Sequence, residues 1–211
     1  MSRQVLIFGT SNTLGCFDEK GGWADRLKQF CMKKQLKTKD YWCLVYNLGI
    51  SGNTSKDIVE RFEAETKARN KDTESSVVIL DVGTNDSLFF NGKQRHWVAP
   101  EEYESNLRWL AKHAATFVPN VFFKKLLPVY EPAVDPVPWV PEASYKTEYV
   151  NRYNEILAAV SADTDVPIID PTPVFKDPLE NCFVDGVHPT SEMHEKIFEI
   201  VRDELVQRNL V

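Results

Sequence analysis

The sequence is short of cysteine, of positive charge and of long apolar runs, and each shortage excludes a class of protein. Four cysteines, Cys16, Cys31, Cys43 and Cys182, are scattered through 211 residues. They form no Cys-x-x-Cys pair and have no nearby histidine that would complete a zinc pattern. They read as reduced thiols packed as small apolar or near-surface residues, which makes the expected location intracellular, in the cytoplasm. Lys and Arg number 25 against 31 Asp and Glu, a net charge of −6. The basic stripe with which nucleic-acid binders displace counterions is therefore not expected. No apolar run approaches the ~20 residues of a membrane helix, so no membrane span is expected. Arg3 stands just before Val5, Leu6, Ile7 and Phe8, a run too short for a signal-peptide core and without a small-residue cleavage site. The mature chain is expected to start here. There is no internal repeat and no low-complexity tract.

What is present suits a water-soluble globule: 43% hydrophobic and 27% charged residues in a chain of single-domain length, residues 1–211. Short β-branched or aromatic runs alternate with segments of helical period, the pattern of a parallel sheet wrapped by helices. The expected strands are Gln4 to Phe8, Cys43 to Leu48, Ser76 to Val82, Val121 to Leu127 and Val166 to Asp170. Trp23, Leu27, Phe30 and Cys31 mark one buried helix face, and Tyr103, Leu107, Leu110 and Ala114 another. Tyr149, Tyr153, Ile156, Leu157 and Val160 repeat the spacing, as do Met193, Ile197, Val201 and Leu205, with Thr190 or Ser191 as N-cap.

Two longer segments break the alternation. Ser87 to Ala99 holds Phe89, Phe90, His96 and Trp97, and Pro128 to Pro141 holds Trp139 and five prolines. The prolines forbid a central strand or a helix interior. Each segment either walls a pocket or simply covers core. His113 and His194 fall inside helices and read as surface or boundary residues, while His96 has no obvious carboxylate partner.

Ligands of such sheets bind beyond the carboxyl ends of the strands, and four short motifs fall on that edge. They are Gly9-Thr10-Ser11-Asn12-Thr13, then Asn47 to Thr54 with Gly52, then Gly83-Thr84-Asn85-Asp86, and last Asp185-Gly186-Val187-His188-Pro189. A serine hydroxyl becomes a nucleophile only when a base takes its proton, and the base needs a partner that fixes its tautomer. His188 and Asp185, three residues apart on a loop, offer both to Ser11. Negative charge on the reacting carbonyl oxygen needs fixed donors. The backbone N–H groups of Gly52 and Ser11 and the Asn85 amide could form that oxyanion hole. Singly, Gly52 reads as a turn glycine and Asn85 as a cap; together with Ser11 and His188 they read as a site.

The four motifs, in this order and spanning Gly9 to Pro189, resemble the sequence blocks of the SGNH, or GDSL-type, hydrolase family. The resemblance implies catalytic Ser11, His188 and Asp185, with Ser11, Gly52 and Asn85 as the oxyanion hole. It further implies a flavodoxin-like three-layer α/β/α fold with five parallel strands. The implied reaction is hydrolysis of small-molecule acyl esters, thioesters or acetylated sugars without a metal or organic cofactor. The chain departs from the family in having Thr10 where Asp usually precedes the nucleophile, so hydrogen bonding at that turn is expected to differ. The serine also lies outside a Gly-x-Ser-x-Gly elbow.

Three other readings use parts of the same pattern. A flavodoxin-type binding protein would cradle a phosphate in the hydroxyl-rich loop Thr10 to Thr13. A metal-dependent phosphoesterase would take Asp81, Asp185 and His188 as ligands. A catalytically silent interaction module would keep the triad without a usable pocket.

Overall fold

Val5, Leu6, Ile7 and Phe8 give the first strand no polar face, and such a strand is stable only where helices cover both sides of a sheet. The structure, a computed structural model that describes residues 2–70, 75–176 and 178–211, meets that demand. The chain begins with β1 (Ser2–Gly9), α1 (Ser11–Leu14), α2 (Gly22–Lys37), β2 (Trp42–Gly49), α3 (Ser55–Arg69) and β3 (Ser75–Asp81). It continues through β4 (Phe89–Phe90), β5 (Arg95–His96), α4 (Pro100–Phe117), β6 (Asn120–Lys124), α5 (Glu131–Val134) and β7 (Ala143–Ser144). It ends with α6 (Thr147–Thr164), β8 (Ile168–Ile169) and α7 (Ser191–Gln207).

The main sheet is parallel throughout, with strand order β2-β1-β3-β6-β8. This is the flavodoxin order, with its switch point between β1 and β3. Alternate residues feed two separate cores. Val5, Ile7, Val77 and Ile79 pack under Trp23 and Leu27 of α2 and Ile197 and Val201 of α7. Leu6, Phe8, Val78 and Leu80 pack under α3, α4 and α6 through Phe62, Tyr103 and Tyr153. In register, Gly9 stands opposite both Gly49 and Asp81. The three inner strands therefore end level, and the loops that follow them emerge side by side.

The last two strands of the sheet, β6 and β8, are shorter than their sequences suggest. Pro167 and Pro171 bracket β8 and leave it two residues long, because proline supplies no ladder N–H. Strand β6 stops at Lys124 rather than Leu127. Beyond it the Asn154 side chain replaces a neighbouring strand, accepting from Leu126 N at 3.0 Å and donating to Leu126 O at 3.2 Å.

A small antiparallel sheet of order β5-β4-β7 joins the first long segment to the residues that follow the second. Phe89 faces Ser144 and Phe90 faces Ala143, so the aromatic segment is tied to the chain just beyond the proline-rich one. Phe89 and His96 pack their rings on Tyr149 of α6, and His96 also meets Tyr153. That part of the segment covers core. In the second segment Pro132 sits in the first turn of α5, where its missing N–H costs nothing.

One histidine departs from expectation. His194 is fully buried, not a surface or boundary residue. The core-facing stripe of α7 is wider than the four residues read from its spacing: Phe198 is buried too, one turn after His194. Neither ring nitrogen of His194 has a hydrogen-bond partner among the described residues. Burial holds its pKa down at about 4, with Asp18 acting weakly in the opposite sense. Among the described residues no helix is long and apolar enough to cross a membrane.

His194 links stability to pH. Its folded pKa lies below the ordinary 6.5, so the unfolded chain binds the proton more tightly. The neutral ring's contribution is complete above pH 6.5 and is lost as pH falls toward 4, by about 3 kcal/mol in total. Urea denaturation at pH 7 and at pH 4 should show His194→Leu losing less stability than the parent by about that amount. Equal losses would mean that the ring is solvated or paired in the folded state.

Candidate active site

The site is assembled at the level ends of β1, β2 and β3. Ser11 opens the four-residue helix α1, so its backbone N–H has no partner within that helix. Thr10 occupies the N-cap but makes no side-chain capping hydrogen bond. The turn is held from beneath. Thr13 Oγ1 donates to Asp81 Oδ2 at 2.6 Å, and the buried Lys124 Nζ donates to Asp81 Oδ1 at 2.9 Å. A buried carboxylate is stable only when paired and hydrogen-bonded. Asp81, at the end of β3, thus locks the serine-bearing turn to the neighbouring strands.

The loop before α7 is shaped by Asp185. Its Oδ1 accepts the backbone N–H groups of Val187 at 3.0 Å and His188 at 2.9 Å, and its Oδ2 lies 2.6 Å from His188 Nδ1. Burial alone would raise the Asp185 pKa, but the hydrogen bonds from His188 and from the two backbone groups outweigh it and hold the carboxyl below its ordinary value. A carboxylate only accepts, so Nδ1 carries the proton and Nε2 is left as an acceptor. His188 Nε2 lies 2.8 Å from Ser11 Oγ. Gly186 allows this fold-back: its φ is +96°, and a Cβ there would come within 2.9 Å of Ala133 and Val134 side chains.

A second tie fixes the distance between the two halves. Arg26 of α2 is buried and donates through Nη1 to Asp18, seven residues after Ser11. Its Nη2 donates to Ser191 O at 3.2 Å and Ser191 Oγ at 3.0 Å, three residues after His188. Its Nε donates to Glu195 Oε2 at 2.8 Å. Burial would raise the Asp18 pKa, yet Arg26 and the Lys20 N–H hold it at about 2, so the pair remains charged.

Gly52 and Asn85 lie on the loops that follow β2 and β3. Ile50 N donates to Gly9 O at 3.1 Å, which brings the Gly52 loop against the end of β1. Gly52 is exposed, with φ +80° and open space where a Cβ would stand, so its backbone is accessible. Asn85 Nδ2 donates one hydrogen to Asn53 O at 2.8 Å, and the Tyr145 hydroxyl donates to Asn85 Oδ1 at 3.0 Å. Both partners dictate the same amide orientation and leave the second Nδ2 hydrogen for a ligand. Burial raises the Tyr145 pKa far above its ordinary value, so the hydroxyl keeps its proton. Asp86 accepts from Ser55 N at 3.0 Å and from Ser55 Oγ, joining the Asn85 turn to the start of α3. Burial pushes its carboxyl up to about 6 against the pull of those hydrogen bonds.

Ser11, His188 and Asp185 are thus brought into one hydrogen-bonded chain, and Gly52 and Asn85 into one neighbourhood beside it. Asp81 is not gathered with Asp185 and His188, because Lys124 and Thr13 occupy its oxygens. Among the described residues no group of three or more His, Cys, Asp or Glu is arranged to hold a metal. The Ser11 and Thr13 hydroxyls, which a phosphate-cradling loop would present outward, are turned to His188 and Asp81. Tyr145, Asp86, Lys124 and Arg26 complete the surroundings, and of these Tyr145, Lys124 and Arg26 belong to no motif. Asp86 alone carried a signal, as the last residue of the Gly83-Thr84-Asn85-Asp86 motif.

Gly186→Ala should lower stability by about 1 to 3 kcal/mol, combining backbone strain with overpacking. Urea unfolding would measure it, and a loss below about 0.5 kcal/mol would show that the loop can relax around a Cβ.

Comparison with known proteins identifies the family and the fold. The model of the GDSL-like lipase/acylhydrolase family matches residues 7–196. The acetylxylan esterase of Geobacillus stearothermophilus is 27% identical over 156 residues, 71% of this chain and 66% of that protein, so the match spans just under two thirds of the relative's length. Among solved structures, Axe2, an acetylxylan esterase from Geobacillus stearothermophilus, has a TM-score of 0.72 at 20% identity, covering 96% of this chain and 94% of its own. LAE5, an alpha/beta hydrolase enzyme from the metagenome of Lake Arreo, Spain, has a TM-score of 0.69 at 21% identity, covering 95% and 94%. Three solved variants of Axe2, each described as a catalytic mutant, replace a serine, an aspartate or a histidine. With nine-tenths of its length matched by the family model and the same fold as these neighbours, the chain belongs to the GDSL-like lipase/acylhydrolase family of ester-hydrolysing enzymes.

Proposed function

We propose that this enzyme cleaves carboxylic esters through an acyl-enzyme on Ser11, with His188 as general base and acid and Asp185 as its orienting carboxylate. The observation that carries the proposal is the unbroken chain Asp185 Oδ2 to His188 Nδ1 at 2.6 Å and His188 Nε2 to Ser11 Oγ at 2.8 Å. In the first step Ser11 Oγ bonds to the acyl carbon as its proton passes to His188 Nε2, and Asp185 stabilises the imidazolium. The carbonyl electron pair moves onto oxygen, where the Ser11 and Gly52 N–H groups and the free Asn85 Nδ2 hydrogen receive it. When the carbonyl re-forms, the C–O bond to the alcohol breaks and His188 returns the proton to the leaving oxygen. Water, deprotonated by the same Nε2, then releases the acid and restores Ser11.

The Axe2 residues whose replacement gives catalytic mutants include an aspartate and a histidine three positions apart, the spacing of Asp185 and His188. That likeness, with the acetylxylan esterase relative, favours acetyl esters, including O-acetylated carbohydrates, over long-chain esters and thioesters. None of the residues in this scheme calls for a metal or organic cofactor. Four unbridged cysteines suit a reducing cytoplasm as its place of work.

Ser11→Ala should abolish hydrolysis of p-nitrophenyl acetate while leaving circular dichroism unchanged; undiminished turnover would remove Ser11 from the mechanism. Asn85→Ala should lower kcat by on the order of 10² to 10³. Tyr145→Phe, which leaves the Asn85 amide in place but frees its orientation, should cost roughly tenfold in kcat, the worth of one hydrogen bond. An unaltered kcat in Tyr145→Phe would mean that Asn53 alone orients the amide.

A further inference from the structure

The aromatic rings beside His188 have no role in the mechanism above, yet the backbone holds one of them at a cost. Phe17 has φ +65°, a region that a bulky side chain occupies only when its surroundings force it. Those surroundings are present. Cys16 N donates to Ser11 O at 3.0 Å and Asp18 N to Gly15 O at 3.1 Å, while Arg26 anchors Asp18. The strained turn buries no ring: Phe17 is 66% exposed, with its centroid 5.1 Å from that of His188, edge to face. Trp139 is 51% exposed and its ring lies 6.2 Å from His188. It is carried on a turn closed by Val140 N to Val137 O at 3.1 Å and by Val137 N to Ala143 O at 2.8 Å.

We infer that Phe17 and Trp139 form the alcohol subsite of the esterase and select esters whose leaving alcohol presents a flat ring face. The inference rests on the Ser11 and His188 reading and extends it. His188 Nε2 must come within ~3 Å of the leaving oxygen to protonate it. Whatever that oxygen carries therefore lies on the His188 side of the site, and a ring one or two bonds away reaches aromatic faces centred 5 to 6 Å from the imidazole. An aryl group and a pyranose share the required chemistry, an apolar face that stacks or meets a ring edge. A small primary alcohol leaves both aromatics in water.

The test compares kcat/KM for benzyl acetate and ethyl acetate, whose leaving alcohols are of similar basicity, in the parent, Phe17→Ala, Trp139→Ala and Phe17→Trp. The parent should prefer the benzyl ester by at least tenfold. Each alanine variant should cut the benzyl-to-ethyl ratio about three- to tenfold, mainly through KM, and Phe17→Trp should retain it. A mono-acetylated methyl xylopyranoside in the same series separates the ring types: a ratio to ethyl acetate that falls in the alanine variants supports a sugar face, just as the benzyl ratio supports an aryl one. Ratios unchanged within twofold in both alanine variants, for both ring esters, would overturn the subsite. Ester turnover that persists in Ser11→Ala would instead bring down the underlying mechanism, and the subsite with it.

Discussion

Everything in this candidate site depends on one short distance between groups 177 positions apart, Ser11 Oγ and His188 Nε2 at 2.8 Å. No local preference of the chain can set such a distance. It is set by three parallel strands that end in register, by a buried Asp81 that fixes the serine turn, and by Arg26, which fastens the segment after the serine to the helix after the histidine. A displacement of 1 Å would lengthen a hydrogen bond past usefulness. The charged groups beneath the site are therefore best understood as parts of its positioning. Buried ion pairs of this kind add little to stability by themselves, and losing one partner is costly.

The polar network around Asn85 would meet a different need of the proposed mechanism. In that mechanism negative charge appears only transiently, so donors to it have to be fixed beforehand. Asn85 is held at both ends of its amide by Asn53 and Tyr145, and Asp86 draws the following residue onto α3. The raised Asp86 carboxyl shows what such order costs, since a group buried this deeply resists ionisation even with several donors around it. The rings nearest His188, Phe17 and Trp139, stand instead in water.

Much of this was legible in the sequence because of how the signal is distributed. Uninterrupted apolar runs such as Val5 to Phe8 announce a sheet covered on both faces, and the glycine-, asparagine- and histidine-bearing motifs after those runs announce the edge that carries chemistry. Strand ends were less legible: β6 and β8 are cut short by Pro167, Pro171 and the Asn154 side chain, and the last of these is a tertiary contact. His194 was misplaced because helical spacing gives the direction of a buried stripe better than its width. Tyr145, Lys124 and Arg26 carry no motif, and their roles exist only once distant segments meet. Phe17 was equally silent, since a positive φ on an aromatic residue is imposed by the fold around it.

The most direct test of the account is the site and rate of covalent capture by a fluorophosphonate, read by mass spectrometry of the intact protein and its peptides. The account predicts a single adduct on Ser11, formed on the order of 10³-fold more slowly, or more slowly still, when His188 is replaced by alanine. An adduct on another residue, or capture at Ser11 at the same rate without the imidazole, would contradict it.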